Sequence, residues 1–174
     1  MVSVSTPSTD EVLEAWTPIC ASEAALAHHA TYPKRRRGYS ATCGGFLDAG
    51  RAYTAVDYAR AQITRADYRG QMQALFGSID LLIKPVVAKL NPTVKAFNAQ
   101  CEKPDGLSDL IRFTAPDDMA GLPTITLPAG LDKHGSPLSF QLVGRGFEEA
   151  LLFRAGARWQ AASEWTTLRP PLAV

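Results

Sequence analysis

The segment from Phe113 to Trp159 constrains the fold most, because two short apolar runs in it precede a helical pattern. The runs Thr124–Leu127 and Leu138–Val143 are rich in β-branched or aromatic residues, and glycine or proline stands beside each. Such runs are typical of β-strands. After Glu148 and Glu149, apolar residues recur at helical spacing, and acidic residues in a first turn favour a helix through its dipole. The segment therefore predicts a strand, a turn, a strand and a helix.

An ordered series of short strings runs through this segment. It consists of Ala120–Pro123 (AGLP), Leu127–Gly130 (LPAG), Gly135–Gly144 (GSPLSFQLVG) and Phe147–Glu149 (FEE). An upstream series continues the order with Tyr58, Ala59, Arg65, Phe76, Asp80, Leu81 and Pro85. Together the strings resemble the C-terminal part of the amidase signature family. That family includes bacterial amidases, fatty acid amide hydrolase and the A subunit of the tRNA-dependent amidotransferases.

The resemblance implies an α/β fold, namely the C-terminal portion of the amidase signature fold with a mixed β-sheet flanked by helices. We predict a single partial amidase domain over residues 1–174. Within it, residues 1–53 are a helical or loop lead-in, residues 54–163 match best and residues 164–174 form a tail. The length of 174 residues and the 46% hydrophobic content fit one domain, since a chain of this size buries about 70% of its unfolded surface.

Further elements are predicted outside the strand and helix unit. A kinked or paired helix is interrupted at Pro18, and residues 33–50 are largely a connector because glycines punctuate them. A long helix runs from Thr54 to about Phe76, with Val56, Ile63 and Met72 on its apolar face. The run Leu81–Ile83 fits a strand buried on both faces. Turns are predicted at Asn91–Pro92, at Pro104–Gly106 and at Asp132–Gly135, where His134 faces solvent.

The sequence does not contain the catalytic stretch that the resemblance implies. Amidase signature enzymes use a serine nucleophile, a second serine and a lysine base, carried by a Gly/Ser-rich stretch well before the matched segment. Acyl transfer needs a hydroxyl within reach of a base and N–H donors for the oxyanion. The sequence has no such stretch: Gly44 and Gly45 are followed by Phe46, and no pair of serines precedes a glycine. We therefore assign a catalytic role to no residue of this chain.

A few polar residues in apolar surroundings are candidates for a site. Gln141 is the polar side chain within a predicted core strand, and we expect it in a pocket or in the core. Lys84 ends the apolar run Leu81–Ile83, but no motif places a serine beside it, so a structural or surface-directed role is predicted. Asp117 and Asp118 are neighbours in sequence, which favours a turn or helix-cap role over an acid/base pair.

No cofactor and no metal are predicted. The string Gly144–Gly146 lies between a strand and a helix, but two carboxylates in the first turn of that helix would repel a pyrophosphate. None of the three histidines has the spacing of a metal-binding motif. We therefore reject nucleotide binding and leave metal catalysis without support.

Charge and cysteine usage limit the partners and the compartment. The net charge of +1 gives no general field for nucleic acid, and the basic cluster Lys34–Arg37 is interpreted as a solvated loop. The three scattered cysteines fit buried thiols in a reducing cytoplasm. No apolar window has the length of a membrane span. We expect a cytoplasmic protein that binds neither nucleic acid nor a membrane.

Two features bear on the substrate. Residues 86–108 form a connector longer than a compact domain normally leaves unstructured. The resemblance implies that this variable region helps to form the substrate pocket, while a surface loop without function is an open alternative. In glutamine-using amidotransferases, the A chain has an Asp three positions before a Thr-x-Pro string, and here that position is Ile111. An apolar side chain cannot bind an ammonium group, so the resemblance favours a general amidase.

Two functional hypotheses follow. In the first, the chain is the C-terminal segment of an amidase that hydrolyses a small amide, and an N-terminal amidase half supplies the serine and the lysine. In the second, it is a non-catalytic remnant or interaction protein of amidase lineage that self-associates as a homodimer. Strands cut from a larger sheet expose unpaired backbone groups, so both hypotheses predict a protein partner. A third, an independent enzyme with a site in residues 86–108, has no nucleophile or acid/base group in its favour.

Overall fold

The computed structural model describes residues 1–88, 92–103, 106–163, 165–167 and 169. In chain order the elements are α1 (Asp10–Ala27), a 3-10 turn (Arg36–Gly38), α2 (Ala41–Ala52), α3 (Ala55–Leu75), β1 (Leu82–Pro85), α4 (Val94–Cys101), α5 (Gly106–Ile111), α6 (Ala115–Ala120), β2 (Thr124–Leu131), β3 (Pro137–Val143), α7 (Glu149–Ala161) and a second 3-10 turn (Trp165–Thr167). The chain divides into two compact units, residues 1–72 and residues 73–174.

In the first unit, α1 and α2 pack closely against each other. A Cβ atom at Gly50 of α2 would lie 1.9 Å from the carbonyl oxygen of Ala21 in α1, so only glycine permits this approach. α1 is one continuous helix that includes Pro18, and not a pair of helices restarting at that residue. It buries Val12 and Ile19.

The prediction that residues 33–50 are largely a connector is wrong, because α2 occupies the second half of that stretch. The hydroxyl of Ser40 accepts a hydrogen bond from the Cys43 N–H over 3.2 Å and so caps the helix. Gly44 and Gly50 are buried within α2. Gly50, which the glycine-rich stretch suggested as a turn former, therefore serves close packing between helices.

α3 confirms the long helix predicted from Thr54 onward. The Thr54 N–H donates to the Asp57 carboxylate over 2.9 Å, and the Asp57 N–H donates to the Thr54 hydroxyl over 3.1 Å. This reciprocal pair satisfies backbone donors at the start of the helix. The predicted apolar face is only partly buried: Met72 is buried, whereas Val56 and Ile63 are each 64% exposed. Periodicity thus predicted the helix but not the face that it buries.

The second unit is built on three antiparallel strands in the order β1-β3-β2. The predicted strands are confirmed, but β2 continues to Leu131 through an irregularity between Pro128 and Gly130. The turn expected at Pro128 is therefore a bulge within the strand, where Gly130 has a φ of 128°. The following turn is as predicted, since His134 is exposed and its N–H donates to the Asp132 side chain over 2.8 Å.

β1 differs from the prediction of a strand buried on both faces. Its only pairing among the described residues is with β3, so it lies at an edge of the sheet. Leu82 is buried, but Ile83 is 48% exposed. The apolar run alone did not distinguish an edge strand from a central one.

α7 covers one face of the sheet. A Cβ atom at Gly156 would lie 3.0 Å from Cδ1 of Ile125, so the helix backbone lies close to β2. The Trp159 indole N–H donates to the Pro128 carbonyl over 2.7 Å, and its ring meets Phe140 edge-on with centroids 5.0 Å apart. The predicted strand, turn, strand and helix are thus confirmed as one packed unit, and the α/β class is confirmed with it.

Two further expectations concern the surface. Cys43 and Cys101 are exposed and Cys20 is half-buried, so the expectation of buried thiols is wrong. Lys34–Arg37 is exposed, as a solvated loop would be. Over the described ranges, no helix combines the length and the apolar character needed to cross a bilayer.

Candidate functional site

Gln141, the polar residue expected in a pocket or in the core, forms a buried cluster with Lys84 and Asp117. Gln141 is 3% exposed and Asp117 is 0% exposed. The Gln141 amide donates to Oδ2 of Asp117 over 2.6 Å, and Nζ of Lys84 lies 2.5 Å from the same oxygen. We call these three residues the polar cluster.

The sheet register and one short helix position the polar cluster. Lys84 in β1 and Gln141 in β3 are direct cross-strand partners, so their side chains share a face of the sheet. Asp117 lies in the first turn of α6, which ends at Gly121 in the left-handed region with a φ of 68°. That helix therefore brings a carboxylate onto the face opposite the one that α7 covers.

Burial has the largest effect on the pKa of the Asp117 carboxyl in the polar cluster. Burial raises the pKa of the Asp117 carboxyl above its ordinary value of 3.8, although the charge of Lys84 and hydrogen bonds from Lys84 and Gln141 act in the opposite direction. Its second oxygen, Oδ1, is buried and makes no hydrogen bond to any residue that the structure describes. Burial also raises the pKa of the neighbouring Asp118, against the charge of Lys84. Without Lys84 the Asp117 carboxylate would be a buried charge with no counter-charge, so we assign a structural role to Lys84.

Sequence reasoning missed the partner of Gln141. Asp117 does lie in the first turn of a helix, but as a buried charge and not as an exposed cap. Of the two roles predicted for Lys84, structural or surface-directed, the second is wrong, since its side chain is 18% exposed and bound to Asp117. The signal was present, because a lysine inside an apolar strand needs a counter-charge if the strand is buried.

A cavity of about 460 Å³ lies between α4, α5 and the segment that follows β1. Most of its wall is apolar, and three polar side chains complete it. The lining residues are Val87, Ala88, Pro92, Ala96, Phe97, Ala99, Gln100, Lys103, Asp109 and Leu110. We call it the α4–α5 cavity.

Local signals fix the two helices around this cavity. The Thr93 hydroxyl caps α4 by accepting a hydrogen bond from the Ala96 N–H over 3.2 Å. A Cβ atom at Gly106 would lie 1.9 Å from the carbonyl oxygen of Gln100, so glycine lets the start of α5 approach the end of α4. The Gln100 amide donates to Asp109 over 3.0 Å and links the helices through side chains.

The prediction of an unstructured connector over residues 86–108 is therefore wrong. α4 and the start of α5 occupy much of it. Asn91, Pro104 and Asp105, which the turn predictions used, lie outside the described residues. The role of this region in selecting a ligand stays a prediction.

The segment Gly144–Gly146 has a structural use. The Arg145 guanidinium donates to the carbonyls of Phe76 and Ile79 over 2.9 and 3.0 Å, which ties the loop after β3 to the segment that follows α3. Among the residues with described positions, no group of three or more His, Cys, Asp or Glu side chains could hold a metal ion.

Comparison with known proteins identifies relatives over most of the chain. The profile of the Amidase family matches residues 1–153. AmiD of Mycobacterium tuberculosis, named as a candidate amidase, is 34% identical over 152 residues, which cover 87% of this chain and 32% of AmiD. The A subunit of the glutamyl-tRNA(Gln) amidotransferase of Rippkaea orientalis is 37% identical over 131 residues, or 72% of this chain and 25% of that relative.

A solved amidase structure agrees with the sequence matches. It superposes with a TM-score of 0.77 at 25% identity, over 88% of this chain and 36% of that one. The chain thus spans about a third of the length of AmiD and of this amidase.

Proposed function

Because the chain belongs to the amidase signature family, we propose that it is the C-terminal segment of an enzyme that hydrolyses amide C–N bonds. In this proposal it completes the sheet and the substrate pocket, and an N-terminal amidase half supplies the serine nucleophile and the lysine base. One observation carries the proposal: the family match runs over residues 1–153, yet the sequence lacks the Gly/Ser-rich stretch that the family's chemistry requires. The small amide substrate, the partner half and the cytoplasmic location stay predictions.

The edges of the sheet support a role in completing a larger one. In the described part of the chain, β1 and β2 each pair only with β3. β2 is eight residues long, and its exposed residues include Thr124 and Thr126. A long outer strand presents a row of backbone N–H and carbonyl groups that another strand can pair with.

The polar cluster supports a role in holding the pocket wall. Lys84 ties β1 to α6 through Asp117, and the wall of the α4–α5 cavity begins only three residues later, at Val87. A buried ion pair at the base of this segment restricts where the wall can move. The cavity would then be presented to the catalytic half in a fixed position.

The alternative, a non-catalytic remnant that self-associates, uses the same exposed strands. Ile83 and Leu131, one on each outer strand, are 48% and 49% exposed. A second copy pairing edge to edge would cover them. Sedimentation of the purified chain distinguishes the two functions, because the alternative predicts a stable dimer without amide hydrolysis in any mixture.

The test of the proposed function is complementation. The chain is purified alone and mixed with the part of AmiD that it does not match, and release of ammonia from simple amides is measured. We expect no turnover by the chain alone and turnover in the mixture. The control is the same AmiD part with the serine that the family resemblance assigns as nucleophile replaced by alanine. Turnover by this chain alone that survives further purification would overturn the proposal.

A further inference from the structure

The α4–α5 cavity has the size and lining of a small-molecule site. Its volume of about 460 Å³ lies within the range of roughly 300–1,000 Å³ that ligand pockets occupy. The alanines at 88, 96 and 99 leave room that larger side chains would fill. Phe97 adds an aromatic wall and is 44% exposed. Apolar contact with an aromatic or branched group would therefore supply most of the binding affinity.

The polar side chains of the cavity are not equivalent. The carboxylate of Asp109 accepts a hydrogen bond from Gln100, so both groups are already engaged within the protein. Lys103 also lines the cavity and is exposed to solvent. An ammonium group at the edge of an apolar cavity favours a ligand oxygen that carries full or partial negative charge.

From this charge complementarity we infer that the α4–α5 cavity binds the aromatic or branched alkyl group of an acyl compound, whose acyl oxygen faces Lys103. The ligand is a carboxamide or the corresponding carboxylate. The inference rests on the proposed function, since the carboxamide would be the substrate of amide hydrolysis and the carboxylate would be its product. It goes beyond that function by naming an apolar acyl group as the part of the substrate that this chain selects.

The test measures binding to the full 174-residue chain by calorimetry. The probes are 3-phenylpropanamide, 3-phenylpropionate, 3-phenylpropylammonium and propionamide. We expect the first two to bind, the ammonium compound to bind at least about tenfold more weakly, and propionamide, which lacks the ring, to give no signal. Lys103→Met should remove the preference for the carboxylate over the ammonium compound.

Variants on α4 locate the binding. Ala96→Trp fills the cavity and should abolish binding of 3-phenylpropanamide. Asn98→Trp adds the same bulk to the same helix at a residue that does not line the cavity, and it should bind as the wild type does. If circular dichroism shows that Ala96→Trp is unfolded, amide chemical-shift changes in the wild type decide: changes centred on Phe97 and Leu110 support the site, and changes elsewhere overturn it.

Three results would overturn the inference: equal binding of the ammonium compound, unchanged binding by a folded Ala96→Trp variant, or a dimer of this chain that the same substitution dissociates. Its failure is distinguishable from failure of the proposed function. Hydrolysis in the complemented mixture with no preference for 3-phenylpropanamide over propionamide would refute only the inference that this chain selects an apolar acyl group. Binding of the aromatic amide without hydrolysis in that mixture would refute the proposed function and leave the inference about the cavity standing.

Discussion

The polar cluster and the α4–α5 cavity are neighbours along the chain, yet they treat polar groups in opposite ways. In the polar cluster, Asp117 is fully buried and a lysine neutralises it. In the cavity, Lys103 is exposed to solvent. A buried charge must be paired or it destabilises the fold, whereas an exposed charge costs little and is available to a ligand. The buried Asp117 therefore needs Lys84 for stability, whereas Lys103 is free to serve the recognition that we propose.

The largest expected effect comes from breaking the polar cluster. Lys84→Met leaves the Asp117 carboxylate buried without its counter-charge and should lower the free energy of unfolding by about 3–5 kcal/mol. Urea denaturation followed by circular dichroism measures this. Combining Lys84→Met with Asp117→Leu removes both charges and should recover most of the loss. A single variant as stable as the wild type would show that the pair is not structural.

A smaller loss is expected from forcing apart the helices around the cavity. Gly106→Ala places a methyl group against the Gln100 carbonyl, and overpacking of this kind costs about 1–3 kcal/mol. Gly45→Ala is the control, because no atom of the described residues lies within 4 Å of a Cβ atom there. The control should be neutral or slightly stabilising, since alanine favours a helix. Equal effects of the two substitutions would contradict the close approach of α5 to α4.

The pH dependence of stability separates the buried carboxyl from an exposed one. Burial raises the pKa of Asp117 above 3.8, so its stabilising contribution is fully present below pH 3.8 and is lost as pH rises through the raised pKa. The stability of the wild type relative to Asp117→Asn should therefore fall over that window, by at most about 1.4 kcal/mol per pH unit.

Asp57 gives the opposite sign and serves as the comparison. Hydrogen bonds from Thr54 lower the pKa of Asp57 below 3.8, so its contribution is present above pH 3.8 and is lost as pH falls through the lowered pKa. Denaturation of wild type, Asp117→Asn and Asp57→Asn across the acidic range measures both. Curves for the two variants that deviate from wild type in the same direction would contradict the assignment.

The smallest effect is expected at the polar pair of the cavity. Gln100→Leu removes a partly buried hydrogen bond to Asp109 and should cost about 0.5–1.5 kcal/mol. It should cost clearly less than Lys84→Met in the same denaturation assay. A loss as large as that of Lys84→Met would contradict the expectation that this pair matters less for stability than the polar cluster does.

Local patterns in the sequence predicted the strand, turn, strand and helix of Phe113 to Trp159, because each element carries its own periodicity and turn residues. The helices α2, α4 and α5 were not predicted. Their glycine- and proline-rich surroundings indicate turns, yet Gly50 and Gly106 serve close approach between backbones, a tertiary requirement that no local pattern reveals.

The polar cluster was only partly predictable for the same reason. Gln141 stood out in an apolar strand, so its burial could be expected. Its pairing with Asp117, which lies on another element, depends on how α6 meets the sheet. The cavity was suggested by the length of its segment and by the family resemblance, but its apolar lining depends on two helices that the sequence did not indicate.

The most direct test of our proposal that this chain is part of an amide hydrolase but carries no nucleophile is the intact mass after treatment with an alkyl fluorophosphonate. This reagent transfers its phosphonyl group to an activated serine and releases fluoride. In a mixture of this chain with the unmatched part of AmiD, we predict an adduct on the AmiD part and an unchanged mass for this chain. A stoichiometric adduct on this chain would contradict the account.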